Sequence, residues 1–127
     1  MVFLSAHELL FLSGFLEADN THYYFLEMLY PSRKITRMVG HLIVTDHLVT
    51  KSFINIYFRG QGLGRLLYLH ALEDLGSLST DFNMASDKAI KMWKFLTEHL
   101  EHDYSNGILT VWPNEKGYKS ILCPQKI

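Results

Sequence analysis

The chain has 127 residues, 48% of them apolar and 20% charged, which is typical of a single globular domain and excludes a disordered chain. The net charge is −1 with His neutral, so the composition gives no signal for nucleic-acid binding. The single Cys123 excludes an internal disulfide, and no Cys-x-x-Cys or His-Glu-x-x-His pattern indicates a metal site. The apolar N-terminus lacks a basic start and is interrupted by His7 and Glu8, so we expect no signal peptide, no membrane span and a cytoplasmic protein.

The first half of the chain predicts one helix followed by three strands. Residues 5–17 begin with Ser5, a favourable N-cap, and repeat leucine and phenylalanine at helical spacing, which predicts the helix. Only Val2–Leu4 is a candidate for an earlier strand. Aromatic and β-branched runs predict the three strands, over residues 22–30, 35–44 and 52–58. Pro31–Ser32 turns the chain after the first of them, and residues 45–51 lead into the third.

The second half predicts helices that alternate with short strands. Helical spacing predicts two helices, over residues 61–75 and 86–100. Gly76 closes the first, and Ser86 caps the second. Asn106–Gly107 is a turn signal. Strands are expected over residues 78–83, 108–112 and 118–122. This order predicts an α/β fold with a mixed, mostly antiparallel central sheet flanked by helices.

Three glycines at every second position, Gly60, Gly62 and Gly64, lie between the predicted third strand and the helix that follows. Glycine lets the backbone turn sharply and leaves N–H groups uncovered, and the helix adds the positive end of its dipole. The loop therefore predicts an anion site suited to phosphate. The spacing fits neither the dinucleotide fingerprint, whose last glycine would fall on Arg65 or Leu67, nor a Walker loop, which needs Gly-Lys-Ser/Thr.

The run Arg59-x-x-Gly62-x-Gly64, between a strand and a helix, resembles motif A of the GNAT N-acetyltransferase superfamily. The usual form there is V-x-P-x-x-R-G-x-G-[IL]-G, and residues 54–64 read INIYFRGQGLG, with Ile56 at the proline position. The resemblance implies one GNAT-like acyl-coenzyme A-binding domain over residues 1–127. Its N-terminal part is shortened, because a typical member carries two helices between its first two strands and this chain has room for one.

The resemblance also implies acetyl-coenzyme A as the cofactor and suggests which residues hold it. Backbone N–H groups of the glycine loop would bind the pyrophosphate, and the end of the preceding strand would face the pantetheine arm. The residues of this segment are Ile56, Tyr57, Phe58, Arg59, Gly60, Gln61, Gly62, Leu63, Gly64 and Arg65. In the second helix the family pattern N-x-x-A-x-x-x-Y places Ser86 at its asparagine and Trp93 at its tyrosine. Asn83 is an alternative for that asparagine.

The catalytic groups are not identified by these motifs. The family tyrosine often protonates the leaving thiolate, and the indole of Trp93 is not an acid at these pH values. Tyr57, Tyr104 and ordered water remain as candidate acids. The predicted strand over residues 52–58 has no carboxylate. Candidate bases are therefore side chains on neighbouring strands or turns: Glu27, His41, Asp46 and His47.

We therefore expect an N-acetyltransferase that transfers an acetyl group from acetyl-coenzyme A to a primary amine of an unidentified acceptor, either a small molecule or a protein. The missing acid and base favour an alternative, a GNAT-fold binding or regulatory protein that acts on a macromolecular partner without turnover. Residues 1–32 are apolar and aromatic, and they contain acidic but no basic side chains. Because so short a front end would leave apolar surface exposed, we expect a homodimer or a partner to cover it.

Overall fold

The computed structural model describes residues 8–30 and 33–113. Seven strands form one open sheet in the order β1-β2-β3-β4-β5-β7-β6, accompanied by two α-helices. In chain order the elements are β1 (Glu8–Leu16), β2 (Thr21–Tyr30), β3 (Ile35–Thr45), β4 (Leu48–Ile54), α1 (Leu63–Leu75), β5 (Leu78–Asp81), α2 (Asp87–His99), β6 (Glu101–Ser105) and β7 (Ile108–Trp112). The pairing of β4 with β5 is parallel, and β1–β2, β2–β3, β5–β7 and β6–β7 are antiparallel. The expected mixed, mostly antiparallel α/β fold is confirmed.

The chain divides into two compact units. The first comprises Met1–Asp46 and Thr50–Leu69, and the second comprises His47–Val49 and His70–Ile127. The strands predicted over residues 22–30 and 35–44 are confirmed as β2 and β3 in the first unit. Three expectations lie outside the described residues: the early strand Val2–Leu4, the turn at Pro31–Ser32, and the strand over residues 118–122.

The first unit is built on a three-stranded meander, β1–β2–β3. All nine residues of β1 pair with β2, from Glu8 opposite Leu29 to Leu16 opposite Thr21. β2 pairs with β3 along its length, with one register shift between Leu26 and Glu27. Because opposite residues of an antiparallel pair share a face, this register divides the side chains of the meander into two sets.

The two faces of the meander differ in burial. One face carries the buried side chains of Tyr24 and Leu26 on β2 and of Leu42 and Val44 on β3. The opposite face carries several side chains that are partly buried, among them Phe25 and its β3 partner His41. The core of the first unit therefore lies on one side of its strands, which is a common arrangement for antiparallel sheets.

The turns β1–β2 and β3–β4 are hydrogen-bonded to each other. Asn20 and Asp46 both have a left-handed backbone, with φ of 50° and 51°. The Asp46 N–H donates to the Asn20 carbonyl at 3.2 Å, and the Asn20 side-chain amide donates to an Asp46 carboxylate oxygen. The hydroxyls of Thr21 and Thr45 lie 2.9 Å apart beside them. These contacts hold one end of the meander together.

The helix predicted over residues 5–17 is wrong where the structure describes it, because residues 8–16 form β1. Leu9, Leu10, Phe11 and Leu12 are consecutive, so the apolar side chains point to both sides of a strand rather than along one helical stripe. Gly14 further disfavours a helix at this point. Complete pairing with β2 satisfies the backbone in its place.

The strand predicted over residues 52–58 is partly wrong, since β4 begins at Leu48 and ends at Ile54. It begins earlier because only Asp46 and His47 connect β3 to β4, both with positive φ (51° and 67°), as in a two-residue type I′ hairpin. It ends earlier because Asn55 starts a turn, and residues Ile56–Phe58 are 3-10 helical.

From α1 onward, most elements agree with the sequence predictions. The helix expected over residues 61–75 is observed as Leu63–Leu75, closed by Gly76 at a φ of 85°. The predicted strands are observed as β5 and β7, and α2 begins after its predicted cap, since the Ala89 N–H donates to Ser86 Oγ at 3.2 Å. The turn at Asn106–Gly107 is confirmed, with φ of 54° and 79°. The sequence analysis missed β6, whose residues are all exposed and largely polar.

Gly40 in β3 allows the close approach of β4. A Cβ atom at this position would lie 2.3 Å from the Phe53 carbonyl oxygen and 2.6 Å from Ile54 Cδ1. We expect Gly40→Ala to lower the free energy of unfolding by about 1–3 kcal/mol, the usual cost of forcing an extra methyl group into a packed position. Equilibrium urea unfolding measures this. Gly14→Ala is the matched control, because a Cβ there meets nothing within 4 Å; equal losses in the two variants would contradict the proposed steric cause.

Candidate functional site

Asn55 shapes the segment between β4 and α1. Its backbone N–H donates to the Val39 carbonyl at 2.7 Å, and its side-chain amide donates to the Met38 carbonyl at 3.2 Å. Its side-chain oxygen accepts the Tyr57 N–H at 3.1 Å, an Asx turn that competes with strand hydrogen bonding. The Phe58 N–H then donates to the Asn55 carbonyl at 2.8 Å. Asn55 therefore ties the end of β4 to β3 and starts the 3-10 turn at the same point.

The glycine loop follows this turn directly. Gly60 and Gly62 have φ of 78° and 77°, values that residues other than glycine rarely adopt. A Cβ atom at either position would meet nothing within 4 Å, so glycine is needed there for the backbone conformation and the space around the loop is open. α1 starts at Leu63, and the Leu66 N–H donates to the Gly62 carbonyl at 3.4 Å. The amides of Leu63 and Gly64 therefore precede the first intrahelical bond.

Two arginines flank the loop. Both side chains are exposed. Arg59 Nε donates to the Ile54 carbonyl at 2.9 Å, so this guanidinium braces the 3-10 turn across its base. Arg65 lies in the first turn of α1. Charge-assisted bonds from either arginine to a bound phosphate, as the sequence predicts, stay a prediction.

Residues Ile56–Phe58, which the sequence places beside the cofactor as a strand end, form the 3-10 turn. Ile56 and Tyr57 are 66% and 78% exposed, so neither is a core residue. Phe58 is buried. Next in the loop, Gln61 is exposed and Leu63 is buried. The turn thus presents an aliphatic side chain and a phenol to the solvent immediately before the glycine loop.

The second unit holds the other expected cofactor residues. Asn83 is exposed, its N–H donates to Asp81 Oδ1 at 3.2 Å, and its side chain lies against Gly107. Ser86 caps α2, as one of its two proposed roles requires. Trp93 is completely buried in the core of this unit. Contact of these residues with a cofactor stays a prediction.

The candidate catalytic side chains lie on several strands and turns. Glu27 lies on β2 at the register shift and is partly buried. Asp46 accepts the side-chain bond from Asn20. In the second unit, His47 Nδ1 lies 3.1 Å from both the carbonyl and the hydroxyl oxygen of Ser77. Tyr104 on β6 is exposed, and its ring makes an edge contact with Phe82 at 6.0 Å between centroids.

His41 has the most distinctive environment of these candidates. Its ring stacks on Phe53 at 5.4 Å between centroids and makes an edge contact with Phe25 at 6.4 Å. Its Nε2 is buried and has no hydrogen-bond partner among the described residues. Desolvation, together with the nearby positive charge of Lys51, lowers the pKa of His41 below 6.5. His41 is therefore neutral at pH 7, the form that a base requires.

Sequence reasoning missed two residues that shape this region. The first is Asn55, for which a signal existed, because asparagine is depleted in strands and common at turns. The second is Tyr68 of α1, which is buried and hydrogen-bonded to Ser52. Burial raises the pKa of Tyr68 above 10.0, so this phenol is a poorer acid than an exposed one. Nothing in the sequence distinguished it from an ordinary apolar helix position.

The lowered pKa of His41 predicts a pH-dependent contribution to stability. Below a pH of about 6.5, His41 is protonated in the unfolded chain, whereas burial keeps it neutral in the folded chain. The free energy of unfolding should therefore fall as the pH decreases from 7 to 5, and His41→Gln should remove part of this fall. Urea unfolding at several pH values measures both. His102→Gln, at an exposed position, is the control; identical pH profiles for the parent and His41→Gln would contradict the assignment.

Comparison with the models of known protein families finds none that matches this chain, and comparison with curated proteins finds no matching sequence. Within residues 8–30 and 33–113, no group of three or more His, Cys, Asp or Glu side chains is arranged to hold a metal ion. No helix of this part of the chain is long and apolar enough to cross a membrane. The glycine loop is an open turn at the start of α1, flanked by the exposed side chains of Arg59 and Arg65.

Proposed function

We propose that the chain is a GNAT-type N-acetyltransferase that binds acetyl-coenzyme A at the glycine loop and transfers the acetyl group to a primary amine. The observation that carries this proposal is the loop itself, in which two glycines with positive φ lead directly into α1. One acyl-coenzyme A-binding domain over residues 1–127 and a cytoplasmic location are parts of the same proposal.

The loop geometry supports recognition of a pyrophosphate. A doubly charged group needs several donors that converge without side chains in the way, and the open space at Gly60 and Gly62 leaves the backbone accessible. The N–H groups at the start of α1 point out of the helix N-terminus, where the positive end of the helix dipole also favours an anion. Arg59 and Arg65 add two positive charges on exposed side chains. Backbone donors, dipole and side-chain charges thus favour the same ligand.

The order of elements also supports the proposal. After β1, the chain forms three strands, a helix, a strand, a helix and two further strands. From β2 to α2 this is the order predicted from the sequence, which is similar to that of the family, and the glycine loop lies in the expected place between β4 and α1. The departure is at the front end, where a strand replaces the expected helix.

The chemistry requires little beyond positioning. An amine attacks the thioester carbonyl, the carbon–sulfur bond breaks, and the thiolate leaves and takes up a proton. Holding the two reactants in line and polarising the carbonyl supplies much of the rate. The exposed phenol of Tyr57 lies next to the loop in the chain and is the nearest candidate in sequence for the proton donor. Neutral His41 is a candidate base.

An alternative is a protein that binds the cofactor, or keeps the fold, without turnover and acts on a macromolecular partner. The observation that favours it is the complete burial of Trp93, at the position where the family often has its acidic tyrosine. Indole supplies no acidic proton. Measurements of cofactor binding and of acetyl transfer distinguish this alternative from the enzyme.

Calorimetry with coenzyme A should show one site per chain, and Gly62→Asp should abolish binding. A carboxylate about 4 Å from the pyrophosphate opposes it by about 1–4 kcal/mol. Gly62→Asn is the matched variant, because asparagine has the same shape and tolerates positive φ but lacks the charge. Gly76→Asp places the same residue at a similar φ, 85°, at the other end of α1 and should bind normally.

These binding measurements test separately whether the loop is the site and whether it recognises phosphate. Equal binding by the Gly62→Asp and Gly62→Asn variants and the parent would refute the loop as the site. Equal affinity for pantetheine and coenzyme A would refute phosphate recognition. Equal affinity for dephospho-coenzyme A and coenzyme A would leave the pyrophosphate as the only anionic anchor, which agrees with a site formed by one loop.

Acetyl transfer should be visible as the release of free coenzyme A thiol from acetyl-coenzyme A. We expect release that depends on an added amine and that is lost in Gly62→Asp but kept in Gly76→Asp. A polyamine, an aminoglycoside and a peptide with a free lysine cover the acceptor classes that the sequence leaves open. Cofactor binding without amine-dependent release in all three would reject the enzyme and support the alternative.

A further inference from the structure

The two edges of the described sheet differ in a way that bears on assembly. β6, at one edge, is five residues long, is fully exposed and contains Glu101, His102 and Asp103. Short, charged edges resist pairing with other chains. β1, at the other edge, is nine residues long, and its single charged residue is Glu8 at its first position. Among residues 8–30 and 33–113, no strand pairs with this outer edge, and β1 itself carries no proline, lysine or bulge to protect it.

Exposed apolar side chains of β1 lie on both faces of the sheet. Leu12 is 47% and Leu16 45% exposed on one face, while Phe15 is 53% exposed on the other. Alternate residues of an edge strand direct their N–H and C=O groups away from the sheet, where they are available to another strand. β1 therefore combines hydrogen-bonding groups along its edge with apolar side chains above and below them.

The sequence of β1 is self-complementary in the antiparallel direction. The register that pairs all nine residues of two copies places Leu12 on the two-fold axis, because it is the middle residue of Glu8–Leu16. In that register Glu8 faces Leu16 of the other copy, so the two carboxylates lie at opposite ends, roughly 27 Å apart along the strands. Directly opposite residues share a face, as an antiparallel pair requires. A parallel arrangement would instead bring the two carboxylates together.

Gly14 adds a steric argument for the same register. Leu10 of one copy would lie opposite Gly14 of the other. A Cβ atom built on Gly14 meets nothing within 4 Å, so this position has open space for a neighbouring leucine. In the same register Phe11 faces Ser13, so two of the large side chains each lie opposite a small residue of the other copy.

We propose that two copies of this chain associate through their β1 strands, antiparallel and about a two-fold axis at Leu12, to give a continuous sheet. Such an interface is isologous and closes with two subunits, which protects both apolar edges at once. The proposal does not depend on acetyl transfer. It identifies β1 as the part of the apolar, acidic front end that the second copy covers.

Analytical ultracentrifugation of the full chain at tens of micromolar should give twice the chain mass of 14.8 kDa. Leu12→Lys and Leu12→Glu each place like charges across the axis and remove apolar burial. Each should weaken self-association at least about tenfold. An equimolar mixture of the two variants should associate again, because the lysine of one copy then faces the glutamate of the other. Restoration by mixing distinguishes a direct contact from loss of folding, which mixing would not repair.

Met84→Lys and Met84→Glu are the matched controls. Met84 is 81% exposed in the loop between β5 and α2, away from the β1 strand in sequence, and both variants should keep the parent's mass. A monomeric parent at these concentrations overturns the proposal and leaves the β1 edge to an extended peptide of another protein. Leu12 variants that remain dimeric overturn it as well, since the dimer then uses another surface. Failure of the mixture to reassociate overturns the two-fold register.

Discussion

Asn55 is the residue on which the arrangement of the candidate site depends. Its backbone and side chain together satisfy carbonyl groups of Met38 and Val39 on β3 and the N–H of Tyr57. The bonds to β3 hold the end of β4 in place, and the bond to Tyr57 prevents the strand from continuing. If β4 continued to Phe58, the glycine loop would start from a different position and α1 from a different direction. The Asn55 side chain therefore ends β4 and sets the position from which the glycine loop and α1 begin.

Burial in the first unit favours the neutral form of two titratable side chains, His41 and Tyr68. On the partly exposed face, two phenylalanine rings surround His41 and bury one ring nitrogen without offering it a partner. An apolar environment favours the neutral imidazole. The Tyr68 hydroxyl is hydrogen-bonded to Ser52, and burial again favours the neutral form of the side chain. Both groups are therefore uncharged at neutral pH.

The sequence was informative where local chemistry determines structure and less so where pairing does. Gly76, Ser86 and Asn106–Gly107 were predicted at their observed positions, because caps and tight turns depend on the residue itself. The segment Glu8–Leu16 was predicted as a helix because its apolar spacing is ambiguous, and only pairing with β2 decides for a strand. β6 was missed for the related reason that its polar residues are stabilised as a strand by β7 alone. In the site, the glycine loop was visible in the sequence, whereas the Asx turn at Asn55 was not recognised.

The contact between the two turns at Asn20 and Asp46 has a consequence for how this chain can change. Because each turn supplies hydrogen-bond partners to the other, a residue inserted into either one separates contacts that belong to both hairpins. Loops normally tolerate changes in length independently of each other. Here the two loop lengths are coupled, so we expect related sequences to vary in length at other surface positions before they vary at these two.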